Sequence, residues 1–266
     1  MTDFSRIVPA LAEAIQNRGY DSLTPVQSAV LAPELEAQDL LVSAQTGSGK
    51  TIAFGMAMAP QLMDGAPGLG PAGKPLALII APTRELALQV KRELEWLFAP
   101  AGGRFASCVG GMNMSEERRA LRNGAHFVVG TPGRLRDHID RGSLKLDALK
   151  VAVLDEADEM VSALKQDVDT IIKSIPKSRR TLLFTATMPG TIKQLVQNYM
   201  SKHVVHIEAD MQTTGHQGID HQYVVVEPIE KLEVLLHFLS SKEGKRGIIF
   251  CKTKAAVNKL AKKLAI

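Results

Sequence analysis

The chain has 266 residues, a length that predicts one large α/β domain with a smaller remainder. Its 45% hydrophobic and 23% charged side chains are typical of a folded globular protein and argue against disorder. The formal net charge of +4 is compatible with a polyanionic partner. The chain has only two cysteines, Cys108 and Cys251, which argues against a disulfide framework or a cysteine metal cluster. No apolar run reaches the ~18 residues of a membrane span, so we expect a soluble, unexported cytoplasmic protein without a membrane partner.

A helix is predicted near the N-terminus, over residues 7–18, and six short apolar runs follow it. Runs of this kind indicate strands that are covered on both faces, and the amphipathic segments between them indicate the covering helices. The pattern predicts a doubly wound parallel sheet, in which ligands bind at the carboxyl ends of the strands. The predicted strands are residues 40–42, 76–80, 105–109, 126–129, 151–154 and 181–184.

Two polar, glycine-containing stretches predict loops, residues 64–75 and 208–220. The second is predicted to be an interdomain linker, which gives a first domain over 1–207 and a second over 221–266. The second domain has room for about two βα units. Its predicted strands are residues 222–226 and 247–250, and its predicted helices are residues 229–239 and 254–264.

A glycine-rich segment follows the first predicted strand and opens a helix. Such a segment directs backbone N–H groups and a helix N-terminus at phosphates, and it differs from the usual phosphate-loop pattern only in having alanine first. Lys50 is predicted to reach the β- and γ-phosphates, and the Thr51 hydroxyl to coordinate Mg²⁺. The predicted nucleotide-binding residues here are Ala44, Gln45, Thr46, Gly47, Ser48, Gly49, Lys50 and Thr51.

Acidic residues follow the predicted strand 151–154. Hydrolysis of a nucleoside triphosphate requires a metal ion near the β- and γ-oxygens and a water oriented for in-line attack. Asp155 suits the first task and Glu156 the second. Together with the phosphate loop, this pair predicts a nucleotide-hydrolysing site that uses Mg²⁺.

These motifs, with Gly19-Tyr20 and Thr24-Pro25-Val26-Gln27, make the chain from Phe4 to about Lys254 resemble the DEAD-box RNA helicases. The resemblance implies that the Gln27 amide selects ATP over GTP by pairing with adenine, while Phe4 stacks on the base. It disfavours a DNA-directed or GTP-using protein. It also implies a RecA-like fold whose second domain is incomplete.

Residues after three other predicted strands match the family's RNA-contacting motifs. Hydroxyls, glycines and arginines at these positions would bind the RNA backbone with little sequence preference. The implied RNA-binding residues are Pro82, Thr83, Arg84, Gly110, Gly111, Thr131, Pro132, Gly133 and Arg134. Thr185 and Thr187 resemble a motif that, with Asp158, links ATP hydrolysis to unwinding, although the family has serine in place of Thr185.

The implied activity is ATP-dependent, non-processive opening of short RNA duplexes, with accessory proteins as further candidate partners. The family places its arginine fingers in a region that would follow Ile266. We therefore expect this polypeptide alone to bind ATP and hydrolyse it slowly, as a fragment of a longer helicase would. A catalytically idle, ATP-responsive module that binds RNA or a partner is the alternative.

Overall fold

The computed structural model describes residues 4–209, 222–241 and 246–264. The chain divides into two units, Met1–Gln212 and Thr213–Ile266. The predicted linker, residues 208–220, falls largely outside the described residues. None of the described helices is long and apolar enough to cross a membrane.

The first unit is built on one sheet of seven parallel strands in the order β3-β4-β2-β5-β6-β1-β7. The predicted doubly wound parallel sheet is therefore confirmed, and each of the six predicted strands lies within a residue or two of its expected place. The strands are β1 (Leu40–Ser43), β2 (Ala77–Ile80), β3 (Phe105–Cys108), β4 (Phe127–Gly130), β5 (Val151–Leu154), β6 (Arg180–Thr185) and β7 (Val205–Glu208).

Helices connect these strands, and side-chain caps explain several of their starting points. Thr24 forms a capping box with Gln27, and Thr83 and Asn113 accept hydrogen bonds from backbone N–H groups of the first turn. Short 3-10 turns occupy Phe4–Arg6 and Pro33–Leu35. The helices are α1 (Pro9–Asn17), α2 (Pro25–Ala29), α3 (Lys50–Met63), α4 (Arg84–Leu97), α5 (Met114–Arg122), α6 (Pro132–Asp140), α7 (Ala157–Ala163), α8 (Lys165–Lys173) and α9 (Gly190–Tyr199).

The core lies on both faces of the sheet because successive strand residues point to opposite sides. In β1, Leu40 and Val42 join one buried cluster and Leu41 the other. In β2, Ile79 and Ile80 divide in the same way. Continuous burial along these strands accounts for their apolar runs and leaves only the strand ends for polar side chains.

One strand, β7, was not predicted. It pairs in parallel with β1 at the edge of the sheet, and its burial alternates instead of being continuous. The alternating segment Val205-His206-Ile207-Glu208 carried a period-two signal, but the predicted domain boundary at 207 cut through it. The first unit therefore extends one strand further than the apolar runs indicated.

A buried arginine holds the segments around β1 in place. The Arg180 guanidinium donates to the carbonyl oxygens of Leu35, Gln38 and Ala57 over 2.7, 2.7 and 2.6 Å. Burial lowers the pKa of Arg180 to about 10, and the nearby Asp39 carboxylate opposes that change. These bonds connect β6 to the start of β1 and to α3, the two elements that flank the phosphate loop.

The second unit contains α10 (Lys231–Ser240) and α11 (Lys254–Leu264), close to the two helices predicted there. The predicted strands 222–226 and 247–250 are wrong, because the structure has these residues in irregular conformation. A strand needs a hydrogen-bonding neighbour, and neither segment pairs with another described residue in a ladder. Their apolar side chains are consequently exposed, Tyr223 and Phe250 by 91% and 90%.

Candidate functional site

The phosphate loop connects β1 to α3 and depends on two glycines in left-handed conformation. Gly47 has a φ of 84° and Gly49 a φ of 88°, values that glycine adopts without steric strain. A Cβ on Gly49 would lie 2.5 Å from Nε2 of Gln27, so no larger residue fits there without displacing that amide. The Ser48 hydroxyl donates to the carbonyl oxygen of Gln45 over 2.8 Å and closes the turn.

Lys50 begins α3 and points back into this loop. Its side chain is buried, and its Nζ donates to the carbonyl oxygen of Ala44 over 3.1 Å. Thr51 follows it in the first turn of the helix and is partly exposed. The loop therefore encloses a cation beside a helix N-terminus, an arrangement that favours an anionic ligand.

The acidic pair follows β5, where Asp155 is only 3% exposed. Burial raises the pKa of the Asp155 carboxyl to about 6; the Lys50 ammonium opposes that rise, and the Glu156 carboxylate adds to it. The Glu156 backbone N–H donates to Oδ1 of Asp155 over 3.1 Å, and Glu156 itself adopts a left-handed φ of 50°. Such a conformation is strained for a residue with a side chain.

The structure brings the two motifs together, as the sequence required. They leave the carboxyl ends of β1 and β5, which are separated in the sheet only by β6. Lys50 and Asp155 are both buried at this edge, and the Lys50 ammonium acts to lower the pKa of the Asp155 carboxyl. In the described part of the chain no cluster of three metal-ligating side chains exists. The chemistry of Thr51 and Asp155 fits Mg²⁺, which usually binds one or two protein oxygens and completes its shell with phosphate and water.

Asp158, in the first turn of α7, is tied to the end of β6. Its Oδ2 accepts hydrogen bonds from the Thr187 backbone N–H and hydroxyl over 3.0 and 2.7 Å. The Thr185 hydroxyl donates to the Thr187 carbonyl oxygen over 2.7 Å. Burial alone would raise the pKa of Asp158, but the hydrogen bonds it accepts, led by that from the Thr187 side chain, outweigh burial and lower the pKa. Thr185 is fully buried, so the sheet accommodates its additional methyl group.

The Gln27 amide lies next to the phosphate loop. Its Oε1 accepts from the Thr24 backbone N–H over 3.0 Å, and its Nε2 donates to the Gly49 carbonyl oxygen over 3.3 Å. An amide oxygen accepts two hydrogen bonds and an amide nitrogen donates two, so one of each remains for a ligand. Phe4 is partly buried and packs against the hydrophobic core.

The implied RNA-contacting residues lie at the ends of three adjacent strands, β2, β3 and β4. Thr83 caps α4, with its hydroxyl 3.2 Å from the Leu86 backbone nitrogen. A Cβ on Gly111 would lie 2.9 Å from Nη1 of Arg84, so the first two motifs are in contact. Thr131 and Pro132 begin α6 beside them. Pro82, Thr83, Arg84, Gly110, Gly111, Thr131 and Gly133 are at least partly exposed, whereas Pro132 is buried.

Arg134 has a different setting from the other implied RNA contacts. Its guanidinium is 14% exposed and forms an ion pair with Glu117, with Nη1 and Oε2 3.1 Å apart. Nη2 donates to the Met112 carbonyl oxygen over 3.3 Å. These bonds use part of the guanidinium's hydrogen-bonding capacity to hold the loop after β3.

Sequence reasoning missed the buried network around Glu117. One carboxylate oxygen accepts from the Val109 backbone N–H over 2.9 Å, and the other lies 2.8 Å from Nε2 of His138. His138 in turn contacts the Ser143 hydroxyl at 2.8 Å. Burial, reinforced by the Glu117 charge, raises the pKa of Cys108. A glutamate in the first turn of an amphipathic helix resembles an ordinary surface acid, so no sequence signal marked it.

The fold and the loop geometry define the class of a RecA-like P-loop protein. The DEAD/DEAH box helicase family matches residues 24–195. The chain belongs to this family.

Individual relatives agree with that assignment. The chain is 38% identical to the ATP-dependent RNA helicase CshA of Listeria monocytogenes over 99% of its length and 50% of that protein. It is 39% identical to the ATP-dependent RNA helicase DbpA of Bacillus subtilis over 96% of the chain and 52% of that protein. A crystal structure of a DEAD box protein from Methanococcus jannaschii superposes with a TM-score of 0.69, at 36% identity, covering 97% of this chain and 68% of the other. The chain spans about half the length of these two curated relatives.

Proposed function

We propose that the chain carries the ATP-binding and part of the RNA-binding machinery of an ATP-dependent RNA helicase. The observation that carries this proposal is that the phosphate loop and the acidic pair leave strands on either side of β6 at one edge of the sheet, with Lys50 and Asp155 both buried there. Family membership supplies the choice of ATP and RNA as ligands. We also propose a cytoplasmic location, accessory protein partners, and domains over residues 1–207 and 221–266.

The proposed ATP site uses six side chains in distinct roles. Lys50 binds the β- and γ-phosphate oxygens, and Thr51 and Asp155 hold Mg²⁺, Asp155 through water. Bound Mg²⁺ neutralises negative charge on the triphosphate. Glu156 orients the attacking water from its left-handed position directly after the metal-binding carboxylate. Gln27 and Phe4 bind adenine, Gln27 with the donor and acceptor that its contacts to Thr24 and Gly49 leave available.

The proposed RNA groove runs along the ends of β2, β3 and β4. Contact between Arg84 and Gly111 makes the first two segments one surface, on which exposed hydroxyls and glycines can approach the sugar–phosphate backbone. Arg134 acts there by holding the loop after β3 as well as by its charge. Backbone contacts of this kind give little sequence preference and a strong dependence on salt.

The proposed link between the two sites is the hydrogen-bonded set Asp158, Thr187 and Thr185. It connects α7, which follows the acidic pair, to the end of β6. In the whole protein, ATP and RNA together would close two domains around one RNA strand and release its partner strand, and hydrolysis would reopen them.

Calorimetric titration with ATP and Mg²⁺ tests the nucleotide site. Lys50→Ala removes the cation that the phosphate loop encloses, so we expect ATP binding to be abolished. Lys193→Ala removes an exposed lysine on α9 and serves as the matched control with unchanged affinity. ATP affinity that survives in Lys50→Ala would contradict the proposed site.

Steady-state phosphate release tests the slow hydrolysis expected of the 266-residue polypeptide. An arginine finger is worth roughly 10³ to 10⁵ in rate, and the family resemblance places such arginines outside this sequence. We therefore expect ATP binding with little RNA-stimulated turnover. Robust stimulation by RNA would contradict this expectation, and complete absence of turnover with ATP bound would favour the idle module.

A further inference from the structure

A basic cleft of about 490 Å³ lies in the first unit, away from the proposed ATP and RNA sites. Residues 72–75, the end of α5 with the turn after it, and residues 141–145 line it. These segments lead into β2, β4 and β5, so the cleft lies at the amino ends of the strands. The nucleotide site lies at their carboxyl ends. A strand of four residues spans about 13 Å, which separates the two edges.

The side chains that line the cleft carry positive charge only. No aspartate or glutamate is among them, and five are cationic: Lys74, Arg118, Arg122, Arg141 and Lys145. Asp147 lies outside the cleft and neutralises part of this charge, since Lys74 contacts it at 2.5 Å and Lys145 lowers its pKa as well.

The three arginines of the cleft remain without such compensation. Arg118, Arg122 and Arg141 are exposed, and none forms an ion pair with any acid in residues 4–209, 222–241 or 246–264. Uncompensated arginines that face one cleft repel each other, and an anion placed between them removes that repulsion.

The walls of the cleft are fixed by hydrogen bonds. His126 donates from Nε2 to the Gly70 carbonyl oxygen over 2.9 Å and accepts at Nδ1 from the Arg104 backbone N–H over 3.2 Å. The Ala125 backbone N–H donates to the carbonyl oxygen of Gly73 over 3.1 Å. The predicted loop 64–75 is therefore attached to the segment before β4 at Gly70 and Gly73, on its side of the cleft.

The opposite wall is held by the Glu117 network. The Ser143 backbone N–H donates to the His138 carbonyl oxygen over 2.9 Å, and the Ser143 hydroxyl contacts the His138 ring. His138 is fully buried against Glu117. Arg141, two residues before Ser143, consequently projects from a loop with a buried anchor. A preorganised cationic site loses less entropy on binding than a flexible one.

We propose that this cleft is a second nucleic-acid site, which binds the phosphate backbone of an RNA strand independently of ATP. Arginine suits phosphate because its planar guanidinium can donate two parallel hydrogen bonds. No aromatic side chain lines the cleft, so the contact is to backbone phosphates and not to bases. The same absence argues against an acidic protein partner, since protein interfaces place aromatic anchors at their centre.

The proposal rests on the proposed function for the choice of RNA as ligand. Because the cleft and the groove along β2, β3 and β4 lie at opposite edges of the sheet, only an RNA of several nucleotides can occupy both. The cleft would then hold a long RNA close to the groove when no ATP is bound.

The test is fluorescence anisotropy of a labelled single-stranded RNA of roughly 30 nucleotides with the full chain and no nucleotide. A triple variant carries Arg118→Gln, Arg122→Gln and Arg141→Gln. Loss of three phosphate contacts should weaken binding roughly tenfold or more at about 0.1 M salt, and reduce the slope of log affinity against log salt by about 2. Replacing the same arginines by lysine keeps the charge and should retain most of the affinity.

A second triple variant removes the same charge elsewhere through Arg92→Gln, Arg119→Gln and Lys193→Gln, at exposed positions outside the cleft. An equal loss of affinity in this control would overturn the proposal, because it would reflect net charge alone. Displacement of RNA by polyglutamate at the same charge concentration would also overturn it. Since nucleotide is omitted, Lys50→Ala should bind RNA normally, so failure of the ATP site and failure of the cleft are distinguishable.

Discussion

Asp155 is a carboxylate that the fold holds in an environment unfavourable to its charge. It is almost completely buried, and the Lys50 ammonium lowers its pKa by less than burial raises it. Binding sites commonly sacrifice stability in this way, because a ligand that completes the site restores the balance of charge. The protein without nucleotide should therefore be less stable than its packing allows.

Asp155→Asn should raise the melting temperature of the nucleotide-free protein at about pH 8. The folded pKa of about 6 lies above the ordinary aspartate value of 3.8, so the ionised carboxylate opposes folding above pH 6. This penalty fades as the pH falls through the range between the two values, and the gain from Asn should shrink accordingly. Asn keeps an oxygen for the Glu156 backbone N–H. Thermal melts across this pH range measure the difference.

Asp137→Asn is the matched control for that experiment, because Asp137 is exposed on α6 and its removal should not produce the same pH dependence. A gain for Asp155→Asn that is equal at low and high pH would show that charge burial is not its cause. Mg²⁺ and ATP should stabilise the wild type more than Asp155→Asn, since only the wild type offers a carboxylate to the metal.

At the scale of elements, the phosphate loop and α2 depend on each other through one close contact. Gly49→Ala places a methyl group against the Gln27 amide. This amide completes the capping box of α2 and donates to the Gly49 carbonyl oxygen. Gly47→Ala meets no neighbouring atom within 4 Å, although its φ is equally left-handed. Both variants incur backbone strain of about 1 to 3 kcal/mol, but only Gly49→Ala also displaces a buried amide.

Denaturant unfolding without nucleotide should therefore show a larger loss of stability for Gly49→Ala than for Gly47→Ala. The second variant serves as the control for left-handed strain, so the difference between the two isolates the contact with Gln27. Equal losses would indicate that the Gln27 amide moves aside without energetic consequence.

The elements that sequence predicted well were those in which local pattern and tertiary position agree. Strands β1, β2, β4, β5 and β6 are continuously buried on both faces, so their burial was visible in the sequence as short apolar runs. Strand β3, at one edge of the sheet, alternates in burial but was still predicted. Strand β7 lies at the sheet edge and alternates, and its signal was too short to stand out. The segments 222–226 and 247–250 have strand-like composition, but composition does not supply the neighbour on which a ladder forms.

The same distinction applies to the site. Lys50, Thr51 and Asp155 occupy positions that glycine spacing and strand ends fix, so their proximity followed from the sequence. The partners of Arg134 did not, because its ion pair with Glu117 joins two helices through side chains alone. The basic cleft escaped notice for a related reason, since its cations come from three segments that converge only in the folded sheet.

At the scale of the whole molecule, the two units differ in how much apolar surface they bury. Helix α3 has most of its residues buried, whereas α10 and α11 have none among their described residues. Local opening requires little free energy where few apolar contacts are lost. We expect backbone amides of α10 and α11 to exchange with deuterium much faster than those of α3 and β1 to β6.

Hydrogen–deuterium exchange of the full chain measures this directly, with α3 as the internal reference. Similar protection in both units would contradict the expectation and would mean that the apolar side chains of the second unit are covered in solution. The exposed residues that such covering would have to protect include Tyr223, Val225, Ile229, Ile248 and Phe250.

The position of β6 has a mechanical consequence. This strand lies between β1 and β5 and therefore between the phosphate loop and the acidic pair; its residues 180–183 pair with β5 and its residues 182–185 with β1. Because β6 is hydrogen-bonded to both neighbours, a movement of one motif relative to the other would have to be accommodated by this strand. Thr185 ends β6 opposite Ser43 of β1, and its hydroxyl bond to the Thr187 carbonyl oxygen joins this end of the strand to the residue that binds Asp158.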